Sequence, residues 1–465
     1  MGSNSLANKK RFKMPNTYVL ISIFIVIAAI CTYILPAGQY DLIKNAATGR
    51  MVVDPNSFHY VDSNPASFMD VFLSIPLGMK QGATIIFLIF IIGGAFQVID
   101  DTGALSVSIS ALVDKFGDKP FLVIPIVMAI MSVLGALGIV VVASIAFIPL
   151  GAFMAKKLKL DPVVAVAIMY IGAYSGFTTS PFCPATLQLA QNIAGLEPLS
   201  GIGLRVIVWA IVTVVAIAYT LRYSRKLQKN IDNSVLDEIV WSDGYEAEQG
   251  KFTLQTGLIL ADVVVVFSIY TYGALNWGWG NNHMAAIMLI AAVICAIIAR
   301  MNPNDVATSF VKGCKNITYG TLIIGFATAI SYILTQGNII HTIIHGLSLP
   351  LLVLPTVLSS VFMFLINLVF NFFVPSGSGQ AAIVMPLMAP LADIVGLTRQ
   401  VSVLAYQWGD GFSNTIIPTS GVLMAVLAVA KVPYEKWLKF MLPLFCWWTV
   451  IGAVAIALAT MLGYN

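Results

Sequence analysis

Seven runs of apolar residues in this chain, 17–35, 82–99, 201–221, 254–275, 284–299, 317–334 and 440–462, are long enough, or nearly so, to cross a hydrocarbon core of about 30 Å. Backbone polar groups inside such a core have no water to bond, so a crossing segment must be a helix or part of a closed barrel. Runs this continuous lack the two-residue alternation of a barrel strand, and the chain reads as an all-α polytopic membrane protein. Composition agrees: 58% of the 465 residues are hydrophobic and 10% are charged, against about 45 to 50% apolar residues in a soluble domain. The start is polar and basic (Lys9, Lys10, Arg11, Lys13), and the run 17–35 ends at the turn Pro36-Ala37-Gly38. That run is too long for the apolar region of a signal peptide, about 7 to 15 residues, and is read as an uncleaved first span.

Four other apolar regions are shaped differently. Residues 121–154 and 351–391 are too long for one crossing, and each is broken by small residues, Gly135-Ala136-Leu137-Gly138 in the first and Pro375-Ser376-Gly377-Ser378-Gly379-Gln380 in the second. They read as re-entrant helical hairpins. Residues 163–194 and 401–429 are interrupted at Ser175-Gly176-Phe177-Thr178-Thr179-Ser180-Pro181, at Asp410-Gly411-Phe412-Ser413-Asn414-Thr415, and again at Pro418-Thr419-Ser420-Gly421. They read as helices unwound halfway across. With the N-terminus inside and both hairpins entering and leaving by one face, twenty of the 25 Lys and Arg residues fall on the inner side; only Lys44, Arg50, Lys80, Arg205 and Arg399 fall outside.

The chain also echoes itself. Asn64-Pro65 and Asn302-Pro303 open amphipathic arms leading to Ala83-Thr84 and Gly320-Thr321, Ile148-Pro149-Leu150 matches Met385-Pro386-Leu387, and Gly176-Phe177-Thr178 matches Gly411-Phe412-Ser413. Four anchors in order at nearly one offset predict two inverted-topology repeats, because an odd number of crossings separates equivalent elements. The boundaries are residues 16–224 for the first repeat, 225–282 for an inside linker and connecting span, and 283–465 for the second. Each repeat has a span, an interfacial arm, a span, a hairpin, a broken span and a span. The linker carries Asp232, Asp237, Glu238, Asp243, Glu246 and Glu248, and Trp277 and Trp279 fit an interfacial belt.

Irregular backbone at membrane depth must face protein or a wet cavity, so the four interruptions are expected to converge on a binding site. Half-helix N-termini suit a carboxylate, and unwound carbonyls and hydroxyls suit a cation. The candidate substrate-binding residues are Thr178, Thr179, Ser180, Ser376, Ser378, Gln380, Asp410, Ser413, Asn414, Thr415, Thr419 and Ser420. The competing reading makes these small residues contacts between helices; it suits an isolated Ser144 better than so dense a polar run. Asp410 is the most informative residue, an ionisable group about ten residues into a span, suited to a substrate ammonium, a cation or a proton, or to capping the broken helix. Asp262 sits on the connecting span, away from both breaks.

No catalytic constellation is visible. His341 and His345 share a helical face without a third ligand, and they fit an interfacial arm better than a metal site. The cysteines Cys31, Cys183, Cys295, Cys314 and Cys446 form no CxxC pair. No GxxxxGK[ST] motif is present, no cofactor is implied, and 25 basic against 21 acidic residues offer no nucleic-acid surface. A secondary carrier of a small molecule remains.

With Pro375-Ser376-Gly377-Ser378-Gly379-Gln380-Ala381 and the run from Gly409 to Ala425 (Gly409-Asp410-Gly411-Phe412-Ser413-Asn414-Thr415-Ile416-Ile417-Pro418-Thr419-Ser420-Gly421-Val422-Leu423-Met424-Ala425), the chain resembles the YfcC-type carriers. These sit with arginine/ornithine antiporters and DcuC-like C4-dicarboxylate anaerobic carriers in the ion transporter superfamily. The resemblance implies a homodimer in the bacterial cytoplasmic membrane, with a fixed scaffold and an elevator-type transport domain made of both hairpins and both broken helices. Related sodium-coupled carriers have a Ser-Asn-Thr triplet at each hairpin tip; here the tips lack it and Ser413-Asn414-Thr415 lies in the broken helix, so sodium coupling does not carry over. No basic residue lies in the core of any span as drawn, which disfavours a dianion. Asp410 favours an amino acid, and the expected function is antiport of basic amino acids such as arginine and ornithine, with C4-dicarboxylate transport, coupled to cations or by exchange, as the alternative.

Overall fold

A computed structural model of the chain describes residues 17–44, 51–53, 57–104, 107, 120–138, 140–142, 144–197, 199–241, 253–277 and 279–465. Lys9, Lys10, Arg11, Lys13, Arg50, Lys115, Lys119, Lys251, Asp243, Glu246 and Glu248 lie outside the described residues. The apolar runs are helical. Helices α1 (Thr17–Ile34), α2 (Phe68–Gln81) and α3 (Ala83–Asp101) are followed by the arms of the first hairpin, α4 (Val123–Ala136) and α5 (Ser144–Lys157). The first interrupted helix consists of α6 (Pro162–Phe177) and α7 (residues 184–193, opening as a π turn), and α8 (Ile202–Lys229) follows. Next come the connecting α9 (Leu254–Asn276), then α10 (Asn281–Ala299), α11 (Pro303–Gln336) and the short α12 (Ile340–Ser348). The second hairpin is α13 (Thr356–Phe370) and α14 (Gly377–Ile394), the second interrupted helix is α15 (Arg399–Ser413) and α16 (Gly421–Val429), and α17 (Tyr434–Met461) ends the chain.

Both breaks sit slightly later than the sequence suggested. Asp410 to Ser413 complete the last turn of α15, and the unwound stretch is residues 414–420; in the first helix it is residues 178–183. Proline sets both exits. Pro181 and Pro418 lack an N–H and push the residue before them out of helical geometry, so Ser180 and Ile417 cannot continue the coil. Ser180 Oγ then accepts from the backbone N–H groups of Phe182 and Cys183, and Ser420 caps α16.

Two expectations change in the second half and in the outer loop. The arm and span there are one continuous 34-residue helix, α11, capped by Asn302 with Pro303 at its first position. The matching α2 and α3 meet at 57°, because Pro76 and Gly82 weaken the coil there and α11 has no proline after its first residue. The loop after α1 forms two small antiparallel ladders, β1 (Gly38–Gln39) with β4 (His59–Tyr60) and β2 (Leu42–Lys44) with β3 (Met51–Val53). The loop docks on α12: Tyr40 Oη lies 2.9 Å from His345 Nδ1, Phe58 stacks on His345 at 3.9 Å, and Thr342 donates to the Pro36 carbonyl. His341 and His345 thus hold this loop, and among the described residues no group of three or more His, Cys, Asp or Glu is placed to bind a metal.

Burial sorts the helices. Every residue of α6 and every residue of α15 from Gln400 to Ser413 is buried, so the interrupted helices form the centre of the molecule. By contrast α8 buries only the stripe Arg205, Val208, Val212, Ala216, Thr220, Ser224 and Leu227, leaving Ile207, Ile211 and Val214 exposed to lipid. Helix α11 gathers α1, α2 and α3, with α10 against α3; around α6 and α15 lie α4, α8, α13, α14 and α17. The two groups meet chiefly through α5 and α16.

The hairpin arm α4 reaches α6 through small residues. A Cβ on Gly176 would fall 1.7 Å from the Ser132 carbonyl oxygen, and one on Gly135 would fall 1.9 Å from that of Ala173. Gly176→Ala should therefore destabilise the protein by about 1 to 3 kcal/mol or more, read as a lowered midpoint of thermal unfolding in detergent. Gly203→Ala, where no atom lies within 4 Å of the added carbon, should leave that midpoint unchanged. Burial lowers the His341 and His345 imidazoles below their ordinary 6.5. The neutral forms are the docked ones, so their contribution is complete above pH 6.5 and falls as pH drops below it. Proteolysis within residues 39–60 should accelerate between pH 6.5 and 5.

Candidate binding site at the crossing of two interrupted helices

The four interruptions meet. Ser180 Oγ, in the first break, donates to the Ala136 carbonyl at the end of the first hairpin arm. Gln407 on α15 donates to the Ser180 carbonyl at 2.7 Å, and Tyr170 on α6 donates to the Asn414 carbonyl at 3.0 Å. A Cβ on Gly411 would fall 2.5 Å from Thr178 Cα, so the absence of a side chain lets the last turn of α15 touch the backbone of the first break. Tyr406 donates to the Gly377 carbonyl at 2.6 Å, which ties the second hairpin tip to α15. A Cβ on Gly377 would meet Thr186 at 2.6 Å and Asp410 Oδ2 at 3.2 Å, so this tip lies between the two interrupted helices.

Asp410 is 1% exposed. Its Oδ1 accepts from Asn414 Nδ2 at 3.3 Å, and its Oδ2 has no protein partner. The carboxylate faces the first residue of α14, whose positive end favours it. The unwound N-terminus of α16 is capped by Ser420 instead.

The candidate residues divide by what they already bond. Ser180 and Ser420 cap helices, Thr179 and Thr415 bond back to Ser175 and Phe412 carbonyls, and Ser413 bonds the Gly409 carbonyl while accepting from Asn371. Asn414 serves Asp410. Ser376 caps α14 and, like Ser378, is exposed at the hairpin tip. Thr178 Oγ1, Thr419 Oγ1, Gln380 Oε1 and Asp410 Oδ2 are buried without a partner.

The structure adds residues that sequence reasoning missed. Asn367 and Asn371, one turn apart on α13, line up with the site: Asn371 donates to the Asp410 carbonyl, and Asn367 receives Gln380 Nε2 at 3.0 Å. Two amides spaced by four in an otherwise apolar hairpin arm were a readable signal. Thr186, Tyr174, Tyr406 and Gln407 complete the surroundings. The statement that no basic residue lies in the core of a span is corrected: Arg205, placed outside from the sequence, is fully buried near the start of α8. It donates to the Gln407 side-chain carbonyl and, at 3.3 Å, to that of Gln400. Its position four residues into an apolar run made it look like a boundary residue; the packing of α15 and the C-terminus over that end of α8 buries it.

The family model described as "C4-dicarboxylate anaerobic carrier", DcuC, matches residues 14–461. The chain is 32% identical, over 98% of both chains, to "Putative basic amino acid antiporter YfcC" of Escherichia coli (strain K12). It is 26% identical to a protein of Haemophilus influenzae, again over 98% of both. Among solved structures, the YdaH transporter of Alcanivorax borkumensis aligns with a TM-score of 0.47 at 14% identity, covering 97% of this chain and 99% of that one. MtrF of Neisseria gonorrhoeae aligns at 0.46 and 17%, covering 97% and 96%. A family match over nearly the whole length, joined to a relative 32% identical from end to end, means that this multi-pass membrane protein belongs to the DcuC family of transporters.

Proposed function

We propose that the chain is a secondary antiporter of basic amino acids, arginine and ornithine being the type substrates, with its binding site where the two interrupted helices and the second hairpin tip meet. One observation carries this reading. Asn371 Oδ1, Gln380 Oε1 and Asp410 Oδ2 are buried oxygens without a partner, and all three accept hydrogen bonds only. A buried group of that kind is costly unless a ligand supplies donors or positive charge. An ammonium or guanidinium supplies both; a dianion supplies neither. The 32% identical relative whose name specifies a basic amino acid antiporter supports the same class.

The second reading, C4-dicarboxylate transport, is favoured by the family description and by the buried Arg205. In both readings residues 16–224 and 283–465 are inverted repeats joined by residues 225–282, and the hairpins and interrupted helices move as an elevator against the α11 group in a homodimer. The repeated order of hairpin, interrupted helix and long helix supports the first part, and the concentration of the contact between the two helix groups in α5 and α16 supports the second.

In proteoliposomes loaded with ornithine, labelled arginine should enter by saturable counterflow, and succinate should neither enter nor compete. Succinate exchange with no arginine exchange would reverse the assignment. Asp410→Asn should lower arginine exchange at least about a hundredfold while keeping the elution profile and thermal midpoint of the folded protein, because a buried charged partner is lost. A cysteine at Ser378, with the exposed native Cys446 replaced by serine, should react with a soluble maleimide more slowly when arginine is present; an equal rate would move the site away from the hairpin tip.

A further inference from the structure

We propose that Arg205 is the anchor for the substrate carboxylate, with the side-chain carbonyl of Gln407 occupying its guanidinium until substrate arrives. This rests on the amino-acid reading above and extends it to the other end of the solute.

Arg205 is 0% exposed, and among the described residues no carboxylate pairs with it. Its partners are neutral: Gln407 Oε1, Gln400 Oε1 and the hydroxyl of Tyr464. Its Nε, a buried donor, has no partner at all. Taking a guanidinium out of water without an opposite charge is expensive, and amide oxygens repay it only in part. Such a group is either strained for structural reasons or waiting for an anion. The surroundings favour the second. The residue that Arg205 holds, Gln407, is also the one that bonds the Ser180 carbonyl in the first break. It stands three residues before Asp410 on α15, so the two side chains project from one face about 5 Å apart.

One face of α15 therefore carries Gln407, which holds the Arg205 guanidinium of α8, and, one turn along, the Asp410 carboxyl. An amino acid offers one group to each, a carboxylate to Arg205 and a cation to Asp410. Guanidinium and carboxylate form paired, charge-assisted hydrogen bonds, which an amide oxygen cannot match. A substrate carboxylate arriving at Arg205 would displace Gln407 Oε1 and engage Nε. The side chain of Gln407 would then be released from Arg205 while it still bonds the first break, so occupancy of the anchor is felt at the backbone of the site. A second carboxylate in place of the ammonium would meet Asp410, which makes the same geometry selective against a dianion.

The test compares arginine with agmatine, which is arginine without its carboxylate, as competitors of labelled arginine in ornithine-loaded proteoliposomes. In the unmodified protein agmatine should compete at least tenfold more weakly than arginine. Arg205→Gln should raise KM for arginine about ten- to hundredfold and leave inhibition by agmatine unchanged, so that the preference collapses; Arg205→Lys should restore part of it. A preference that survives in Arg205→Gln, whatever the total rate, would overturn the anchor and leave a structural role. Gln407→Glu gives an independent reading if Arg205→Gln does not fold. It places a permanent carboxylate on Arg205 and should raise the thermal midpoint while weakening arginine binding tenfold or more, and unchanged arginine affinity in that variant would refute the proposal. Should the unmodified protein exchange succinate and no basic amino acid, the substrate class is wrong; the anchor then stands if Arg205→Gln raises KM for succinate by the same factor and falls if KM does not move.

Discussion

Unpaired backbone groups at membrane depth cost too much to be left to lipid, and this cost dictates where the interrupted helices can lie. The carbonyls freed by the breaks are met by side chains from other elements. Trp437 donates to Thr415 O and Tyr434 to Ile416 O, both from α17. Asn371 from α13 reaches Asp410 O, Tyr170 from α6 reaches Asn414 O, and Ser331 from α11 reaches Phe373 O beside the second hairpin tip. Breaking a helix here therefore requires a ring of neighbours with long polar side chains, and that ring is what brings hairpins and interrupted helices into one cluster. The polar groups left over after the carbonyls are served, Asp410 Oδ2, Gln380 Oε1 and Asn371 Oδ1 among them, are the ones that make this cluster the candidate site.

Charge is handled by the same logic. Asp410 and Arg205 are both buried, carry opposite signs and are not paired with each other. A direct ion pair between them would satisfy both and close the site to any charged solute, because a ligand would first have to break it. Arg205 is held by the amide oxygens of Gln407 and Gln400 and Asp410 by the amide of Asn414, so each has neutral partners. Neutral partners stabilise a buried charge less than an opposite charge does, so each group stays open to a partner of opposite charge. This separates the site from an ordinary buried salt bridge, which is complete without a ligand.

The interruptions were legible in the sequence because proline, glycine and serine change the local backbone whatever surrounds them: Pro181 and Pro418 end α6 and α15 in any context, and Gly377 after Ser376 starts α14 as a capped helix should. Asp410 was legible because an ionisable group ten residues into an apolar run is expensive and usually faces a pathway. Arg205 was not, since a basic residue near the end of a run is ordinarily an interfacial one, and only the packing of Gln400, Gln407 and Tyr464 over it makes it part of the interior. The continuity of α11 was illegible for a related reason. Its amphipathic start resembles the arm that precedes α3, and the difference lies in Pro76 and Gly82 of the first half, which the second half replaces with residues that allow the coil to run on.

The end of the molecule at which α6 starts is held together by polar contacts. Asp161 caps α6 through the Val164 amide, and its other oxygen accepts from Tyr223 at the end of α8 and from Ser234 in the linker, both at 2.6 Å. A few residues on, Asp237 pairs with Lys436 at the start of α17, and the Trp241 carbonyl accepts from Lys431 after α16. The linker segment thus straps the inner ends of α6, α8 and α17 to one another. Polar contacts of this kind are specific in direction and hold only if the partners keep their register. A shift of α6 along the membrane normal must then carry α8 and α17 with it. Helix α11, at 34 residues about 50 Å long, shares no contact with this strap among the bonds described. The segment 230–241 therefore ties the central helices together at one end and leaves α11 outside the tie.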